Sequence, residues 1–146
     1  MFEVISFPFS DELHTSAAFD IRRKVFVEEQ HVSREEEYDQ YENTSTHYLV
    51  YHDNIPVGTA RWRKTDKGIK LERFAVLKES RNSGAGTAIL DKVLQDVAAL
   101  DQPVYLHSQI TAVNFYLKAG FEKVGNEFIE ANIRHFRMTW KANNAG

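Results

Sequence analysis

Apolar and polar positions alternate from the start of the chain. Phe2-Glu3-Val4-Ile5-Ser6-Phe7 is rich in β-forming residues and is closed by Pro8, which removes a ladder donor, so a first strand is predicted there. The period then lengthens. Leu13, Ala17, Ile21 and Val25 recur at helical spacing, Ser10 is placed to cap the helix, and Asp11 and Glu12 occupy its electropositive first turn. This helix is predicted to run to about Gln30. From Glu28 to Glu42 the pattern is lost, with seven carboxylates against one arginine, which suits an exposed, partly helical loop at the border of a binding site.

Three strand-like stretches follow, Thr46 to Tyr51, Ile55 to Arg63 and Ile69 to Val76. The segments between them, His52-Asp53-Asn54 and Lys64-Thr65-Asp66-Lys67-Gly68, are short enough to predict antiparallel hairpins. Ala88, Ile89, Val93, Val97 and Leu100 mark one face of a long helix that must end before Pro103. A fifth strand is predicted over Pro103 to Ser108, and a short helix over Thr111 to Ala119. Thr111 would be that helix's N-cap between Ile110 and Phe115, and Gly120 its stop. Further strands are predicted at Phe121 to Val124 and Arg134 to Trp140. The whole describes an α/β (α+β) protein with a mixed, mostly antiparallel sheet of six to seven strands flanked by helices.

Composition narrows the function without naming it. The 146 residues, 42% hydrophobic and 27% charged, suit one domain spanning 1–146 with one core. No apolar run reaches the roughly 18 residues of a membrane span, and Met1-Phe2-Glu3-Val4-Ile5 does not resemble a secretory signal, so a cytoplasmic protein without a membrane partner is expected. The absence of cysteine removes disulfides, thiolate metal sites and an acyl-cysteine intermediate. A net charge of −3 argues against a nucleic-acid partner.

The chemistry-bearing segment joins the fourth strand to the long helix: Phe74-Ala75-Val76-Leu77-Lys78-Glu79-Ser80-Arg81-Asn82-Ser83-Gly84-Ala85-Gly86-Thr87. Main-chain N–H groups at such a junction point outward with no partner, and the helix dipole favours an anion beside them. Gly84 and Gly86 permit close approach of a phosphate, and Arg81 is placed to reach the same oxygens. Thr87-Ala88 stands where a Walker loop needs Gly-Lys-Ser/Thr, which argues against nucleoside triphosphate hydrolysis. Ile89 stands where a dinucleotide fingerprint needs a third small residue, which argues against nicotinamide binding.

Arg81-x-x-Gly84-x-Gly86, five residues after Val76, resembles the coenzyme A diphosphate loop of the GNAT N-acetyltransferases. Asn114-Phe115-Tyr116-x-x-x-Gly120-Phe121 resembles their late helix and the strand after it. Arg22-x-x-Val25-Phe26-Val27-x-Glu29-Gln30 and the acidic stretch beyond resemble the small bacterial ElaA/YjcF-like branch. The resemblance spans nearly the whole chain. It implies acetyl-coenzyme A as cosubstrate, no metal, and transfer of acetyl to a primary amine of a small molecule or peptide by direct attack in a ternary complex. A homodimer is compatible with it.

The resemblance also assigns sites. Phe74, Ala75 and Val76 would carry the bulged strand edge that pairs with pantetheine, and an amide near Val76 would polarise the thioester oxygen. Arg81, Asn82, Ser83, Gly84, Ala85, Gly86 and Thr87 would hold the diphosphate, and Asn114 would contact the coenzyme. Tyr116 would protonate the departing sulfur; the bland alternative is a packed ring whose hydroxyl bonds a backbone carbonyl. Glu72 is the candidate base, weighed equally against a salt-bridged glutamate. Gln109 would orient the amine or a water. His107 shares its face by strand parity but is at least as well read as structural. Arg61, Arg63, Lys64, Lys67 and Lys70 are expected to form a solvated strand edge, and the acidic stretch a surface. Two rival readings stand: an acyl-coenzyme A sensor without catalysis, and a nucleotide-binding protein.

Overall fold

A computed structural model describes residues 1–141. Its centre is a seven-stranded sheet in the order β1-β2-β3-β4-β5-β7-β6, formed by β1 (Phe2–Pro8), β2 (Thr46–His52), β3 (Ile55–Thr65), β4 (Gly68–Val76), β5 (Val104–Gln109), β6 (Glu122–Glu130) and β7 (Ile133–Trp140). Every neighbouring pair is antiparallel except β4 and β5, which are joined through the helix α3 (Ala85–Ala98) and run parallel. The tight turns have sequence causes. Asp53 and Asn54 take φ of 50° and 71°, and Ala131 and Asn132 take 50° and 62°, the paired left-handed conformation of two-residue hairpin loops.

Two cores lie on opposite faces of the sheet. Ile89, Leu90, Val93 and Val97 of α3, one helical stripe, pack with Tyr48, Ile69, Leu71, Leu106 and Met138 of the strands and with Tyr116 of α4 (Val113–Lys118). On the other face Ala18 and Ile21 of α1 (Glu12–Arg22), with Val25 and Phe26 after it, pack on Phe7, Leu49 and Ala75.

Departures from the sequence reading cluster around the future site. Asp11, rather than Ser10, caps α1, accepting from the His14 amide at 3.2 Å. The first helix does not continue as α-helix to Gln30; Arg23–Glu29 widens into a π-helix, with the Gln30 amide donating to the Val25 carbonyl at 3.1 Å. The wider turn leaves Val25 and Phe26 buried at the mouth of a cleft. Thr111 caps nothing, because Ile110–Ala112 forms a 3-10 turn and α4 starts at Val113. The sixth strand extends to Glu130, well beyond Val124. Its hydrophobic pattern is broken by Gly125-Asn126-Glu127, where a bulge centred on Gly125 (φ 76°) resets the register against β7 before Phe128.

Candidate active site

The cleft exists because two strands part. The register between β3 and β4 steps from Thr59↔Ala75 to Arg61↔Glu72, which places an extra residue in β4, and Arg73 takes the left-handed φ of 59° that such a bulge requires. On the other side of β4 the parallel pairing with β5 stops at Leu71↔Leu106. Beyond that rung the β5-facing main-chain edge of Phe74, Ala75 and Val76 has no strand partner among the described residues. These three residues line a cleft of about 660 Å³ with Gln109, Tyr116 and His107 across the gap, and Val25 and Phe26 above.

Beside this edge is the loop predicted to take a diphosphate. After a 3-10 turn at Lys78–Ser80, Asn82 and Gly84 adopt φ of 62° and 100°, and α3 begins at Ala85. The first intrahelical bond is donated by Ala88 to the Gly84 carbonyl at 3.0 Å, so the amides of Gly86 and Thr87 have no helical acceptor. The Ala85 amide has only a long contact of 3.4 Å to the Ser83 hydroxyl. At Gly84 the positive φ itself calls for glycine. At Gly86 an added Cβ would sit 3.4 Å from Phe115 and 3.8 Å from Val76, ordinary contacts, so the chain's own packing does not demand glycine there. Free amides under a residue without a side chain fit a bound anion.

Two expected coenzyme contacts are placed differently. The Arg81 guanidinium donates twice to Glu29, at 2.6 and 2.7 Å, and once to the Val76 carbonyl at 3.1 Å, so it closes the loop onto the π-helix instead of facing the free amides. Asn114 is exposed on α4, two residues from buried Tyr116, and is not among the residues that line the cleft.

Tyr116 is 7% exposed and sits among Phe74, Phe115 and Phe121 at edge-to-face angles. Burial pushes its hydroxyl pKa up, which keeps the proton in place at neutral pH. Among the described residues nothing hydrogen-bonds that hydroxyl, so the alternative in which it is tied to a backbone carbonyl is not what the fold builds.

Part of the expected basic edge and acidic surface forms one buried ionic network, while Lys64, Lys67, Glu28, Glu29, Glu35 and Glu36 stay exposed as expected. Arg61 is fully buried and reaches Asp39 at 2.7 Å, Glu42 at 2.8 Å and Glu72 at 3.0 Å. Arg22, also buried, binds Glu37 and Glu42, each at 2.7 Å. Arg73, at the bulge, ties the same segment down through the Glu36 and Glu37 carbonyls and Asp39. Two residues that hydropathy assigns to solvent, Glu37 and Glu42, are thus buried because two arginines from other elements meet them.

Glu72 belongs to this network, with Arg61, Arg63 and Lys70 at 3.0, 2.7 and 3.2 Å. Burial works to raise its pKa, but the three cations outweigh it and hold the carboxyl at about 2. So acidic a group is a poor proton acceptor, and the contacts of Glu72 are those of the salt-bridged glutamate weighed against the base. Asp39 is in the same condition: burial opposes, Arg61 and the Tyr41 amide prevail, and it rests at about 2.

The opposite wall holds a group that sequence reasoning passed over. His107 of β5 contacts Glu130 of β6 through Nδ1 at 3.1 Å, and His135 of β7 approaches the other carboxylate oxygen at 3.9 Å. Glu130 closes β6 just before the Ala131-Asn132 turn, and its only signal in the sequence was a place at a hairpin end. Gln109 is held by Gln30 at 2.7 Å, linking β5 to the end of the π-helix. Among the described residues no group of three or more histidine or carboxylate side chains is arranged to hold a metal, and no helix is long and apolar enough to cross a membrane.

Comparison with known proteins agrees with this geometry. A family model for the acetyltransferase (GNAT) domain matches residues 10–142. The uncharacterized N-acetyltransferase YjcF of Bacillus subtilis (strain 168) is 44% identical over 124 residues, 83% of this chain and 88% of that protein. The crystal structure of Escherichia coli ElaA superposes with a TM-score of 0.86 at 27% identity, covering 97% of this chain and 100% of that one. An aminoglycoside 6'-N-acetyltransferase complexed with coenzyme A shares the fold, with a TM-score of 0.72 at 15% identity over 94% of this chain and 95% of that one. The chain belongs to the GNAT acetyltransferase family.

Proposed function

From that membership we propose that the protein transfers an acetyl group from acetyl-coenzyme A to a primary amine by direct attack, with both substrates bound at once. The observation that carries the proposal is the parting of β4 from β5 after Leu71 and Leu106, next to a helix start with free amides. An extended thioester arm pairs with the open edge at Phe74, Ala75 and Val76 as an added strand, and its diphosphate meets the amides of Gly86 and Thr87. A main-chain N–H near Val76 stabilises the oxyanion as the amine attacks. The C–N bond forms, the C–S bond breaks, and Tyr116 gives the departing sulfur its proton. The chain has no cysteine to carry an acyl group, which favours direct attack over a thioester intermediate.

The test has two arms. Melting is measured with coenzyme A beside ATP and NAD; a ligand at 100 times its dissociation constant adds about 2.7 kcal/mol of stability, and only coenzyme A is expected to do so. Free thiol is then followed with acetyl-coenzyme A and a panel of primary amines. Equal shifts with ATP overturn the cofactor, and coenzyme A binding without thiol release overturns the transfer.

A further inference from the structure

With Glu72 neutralised as a base, the acceptor ammonium needs another group to take its proton, because an alkyl amine with pKa near 10 is protonated at neutral pH and cannot attack in that form. The cleft has one other wall with titratable side chains. His107 is the first residue of β5 beyond the last parallel rung, Leu71↔Leu106, so it stands where the two strands part, beside the open edge of β4. We propose that His107, oriented by Glu130, is the general base of this transferase. The assignment rests on the acetyl-transfer reading and deepens it.

Three features of the surroundings suit His107 to that role. Its Nδ1 meets Glu130 Oε1 at 3.1 Å, and the imidazole contact first, against burial, holds that carboxyl below its usual range, so the carboxylate is an acceptor and Nδ1 must be the donor. The lone pair is then on Nε2, which accepts no hydrogen bond from any described residue. Phe128 fixes the ring from the side, edge-on to His107 at 5.1 Å between centroids and stacked on His135 at 5.8 Å. Glu130 is not claimed by arginines as Glu72 is: its other neighbours are His135, whose Nδ1 is already used by the Ile133 carbonyl at 2.7 Å, and Lys70 from β4. Two further titratable groups are beside His107 on its own sheet, Tyr105, two residues along the strand with its ring 6.1 Å away, and Arg137, its partner on β7, whose guanidinium stacks over Tyr105; Glu72 and Arg63 line the cleft from the β3–β4 side.

The proton balance is complete with these residues. Nε2 of His107 takes a proton from the bound ammonium and releases it to solvent. The neutral amine adds to the thioester carbonyl. As the tetrahedral adduct collapses, the second nitrogen proton leaves while Tyr116 supplies one to sulfur and is reprotonated. The net reaction converts an ammonium and a thioester to an amide, a thiol and one proton.

The test is the pH dependence of kcat/KM for the best amine of the panel, in the wild-type protein, His107→Gln and Glu130→Gln, with coenzyme A-dependent melting as the control for folding and cosubstrate binding. His107→Gln is expected to lower kcat by about 10²- to 10³-fold and to abolish the acid limb, with the coenzyme A shift unchanged. Glu130→Gln is expected to lower kcat about tenfold and to alter the acid limb with the coenzyme A shift unchanged, since Nδ1 loses the carboxylate that orients the ring. A structural role would leave the limb in place. Profiles of His107→Gln and wild type that superimpose overturn His107 and leave the transfer reading intact. A wild-type protein that ignores coenzyme A, or binds it and releases no thiol, overturns both.

Discussion

Both walls of the cleft carry carboxylates, and the company these keep separates their chemistry. On the β3–β4 wall Glu72 faces three cations and Asp39 faces two, and both are held near 2. On the wall formed by β5, β7 and β6, Glu130 faces two imidazoles and, among the described residues, no guanidinium, with His107 Nδ1 at 3.1 Å and His135 Nε2 at 3.9 Å. A carboxylate saturated by guanidinium groups has no proton chemistry left near neutrality; what it does is hold elements together. Arg61 and Arg73 join the acidic segment to the β4 bulge, so the first wall builds the opening that the second wall works in.

The sharpest way to break this contrast is to remove the keystone of the saturated wall. Arg61→Met keeps length and apolar bulk but leaves Asp39, Glu42 and Glu72 short of a cation inside the protein. The expected loss is about 3–5 kcal/mol in urea unfolding, because uncompensated buried charge is what dominates when one partner of such a network goes. A loss below about 1 kcal/mol would mean that Arg22, Arg63 and Arg73 redistribute to cover the gap, and that the wall is not organised around Arg61.

Acid probes the same wall without mutation. The folded pKa values of Asp39 and Glu72, about 2, are below their ordinary 3.8 and 4.5. A depressed folded pKa contributes stability that is complete above the unfolded value and is lost as pH falls towards the folded one. Unfolding free energy should therefore decline between about pH 4.5 and pH 2, by roughly 2–3 kcal/mol for each group. Glu72→Gln should flatten its share of that decline and leave turnover within a few-fold of wild type. A hundredfold fall in turnover with coenzyme A binding preserved would return Glu72 to the chemistry and erase the distinction between the walls.

Tyr116, whose hydroxyl has no partner among the described residues, belongs with the working side. Tyr116→Phe keeps the ring packed against Phe74, Phe115 and Phe121 and removes only the proton donor. A fall of about 10²-fold in kcat, about 2.7 kcal/mol in barrier, is expected with melting temperature and coenzyme A shift preserved. Turnover unchanged across the pH range removes Tyr116 as the acid and leaves it a core aromatic.

What the sequence disclosed and what it hid divide along the same line. Strand alternation, the stripe of α3 and the glycine loop after β4 were legible because each is local: the period or the dipeptide carries its own physical cause. Arg61 on a hairpin and Glu42 in an acidic run look solvated in any local window, and only the approach of β3, β4 and the segment after α1 turns them into buried partners. The π-helix at Arg23–Glu29 was hidden for a related reason, since its residues keep helical spacing and the widening shows in the backbone bonding, as from Gln30 to Val25. Glu130 was missed because Gly125-Asn126-Glu127 broke the pattern of β6 before the strand resumed. The glycines mark the start of α3, Gly84 as its N-cap and Gly86 in its first turn, but a lone sequence cannot show that Arg81 already has Glu29 as a partner.

That last pair gives the smallest and most discriminating prediction. Arg81 and Glu29 are each about one-third exposed, 37% and 36%, so their bidentate contact is worth at most about 1 kcal/mol to the fold. Its consequence is directional: while Glu29 holds the guanidinium, the positive charge near the diphosphate loop is committed to the π-helix. Glu29→Gln keeps the side chain's length and releases that charge, so coenzyme A should bind about two- to threefold more tightly by calorimetry, with the gain shrinking at high salt because the freed charge is exposed. Weaker binding in Glu29→Gln would mean the opposite design, in which the ion pair holds the loop in the shape that presents the Gly86 and Thr87 amides, and the guanidinium serves the diphosphate only through the backbone it braces.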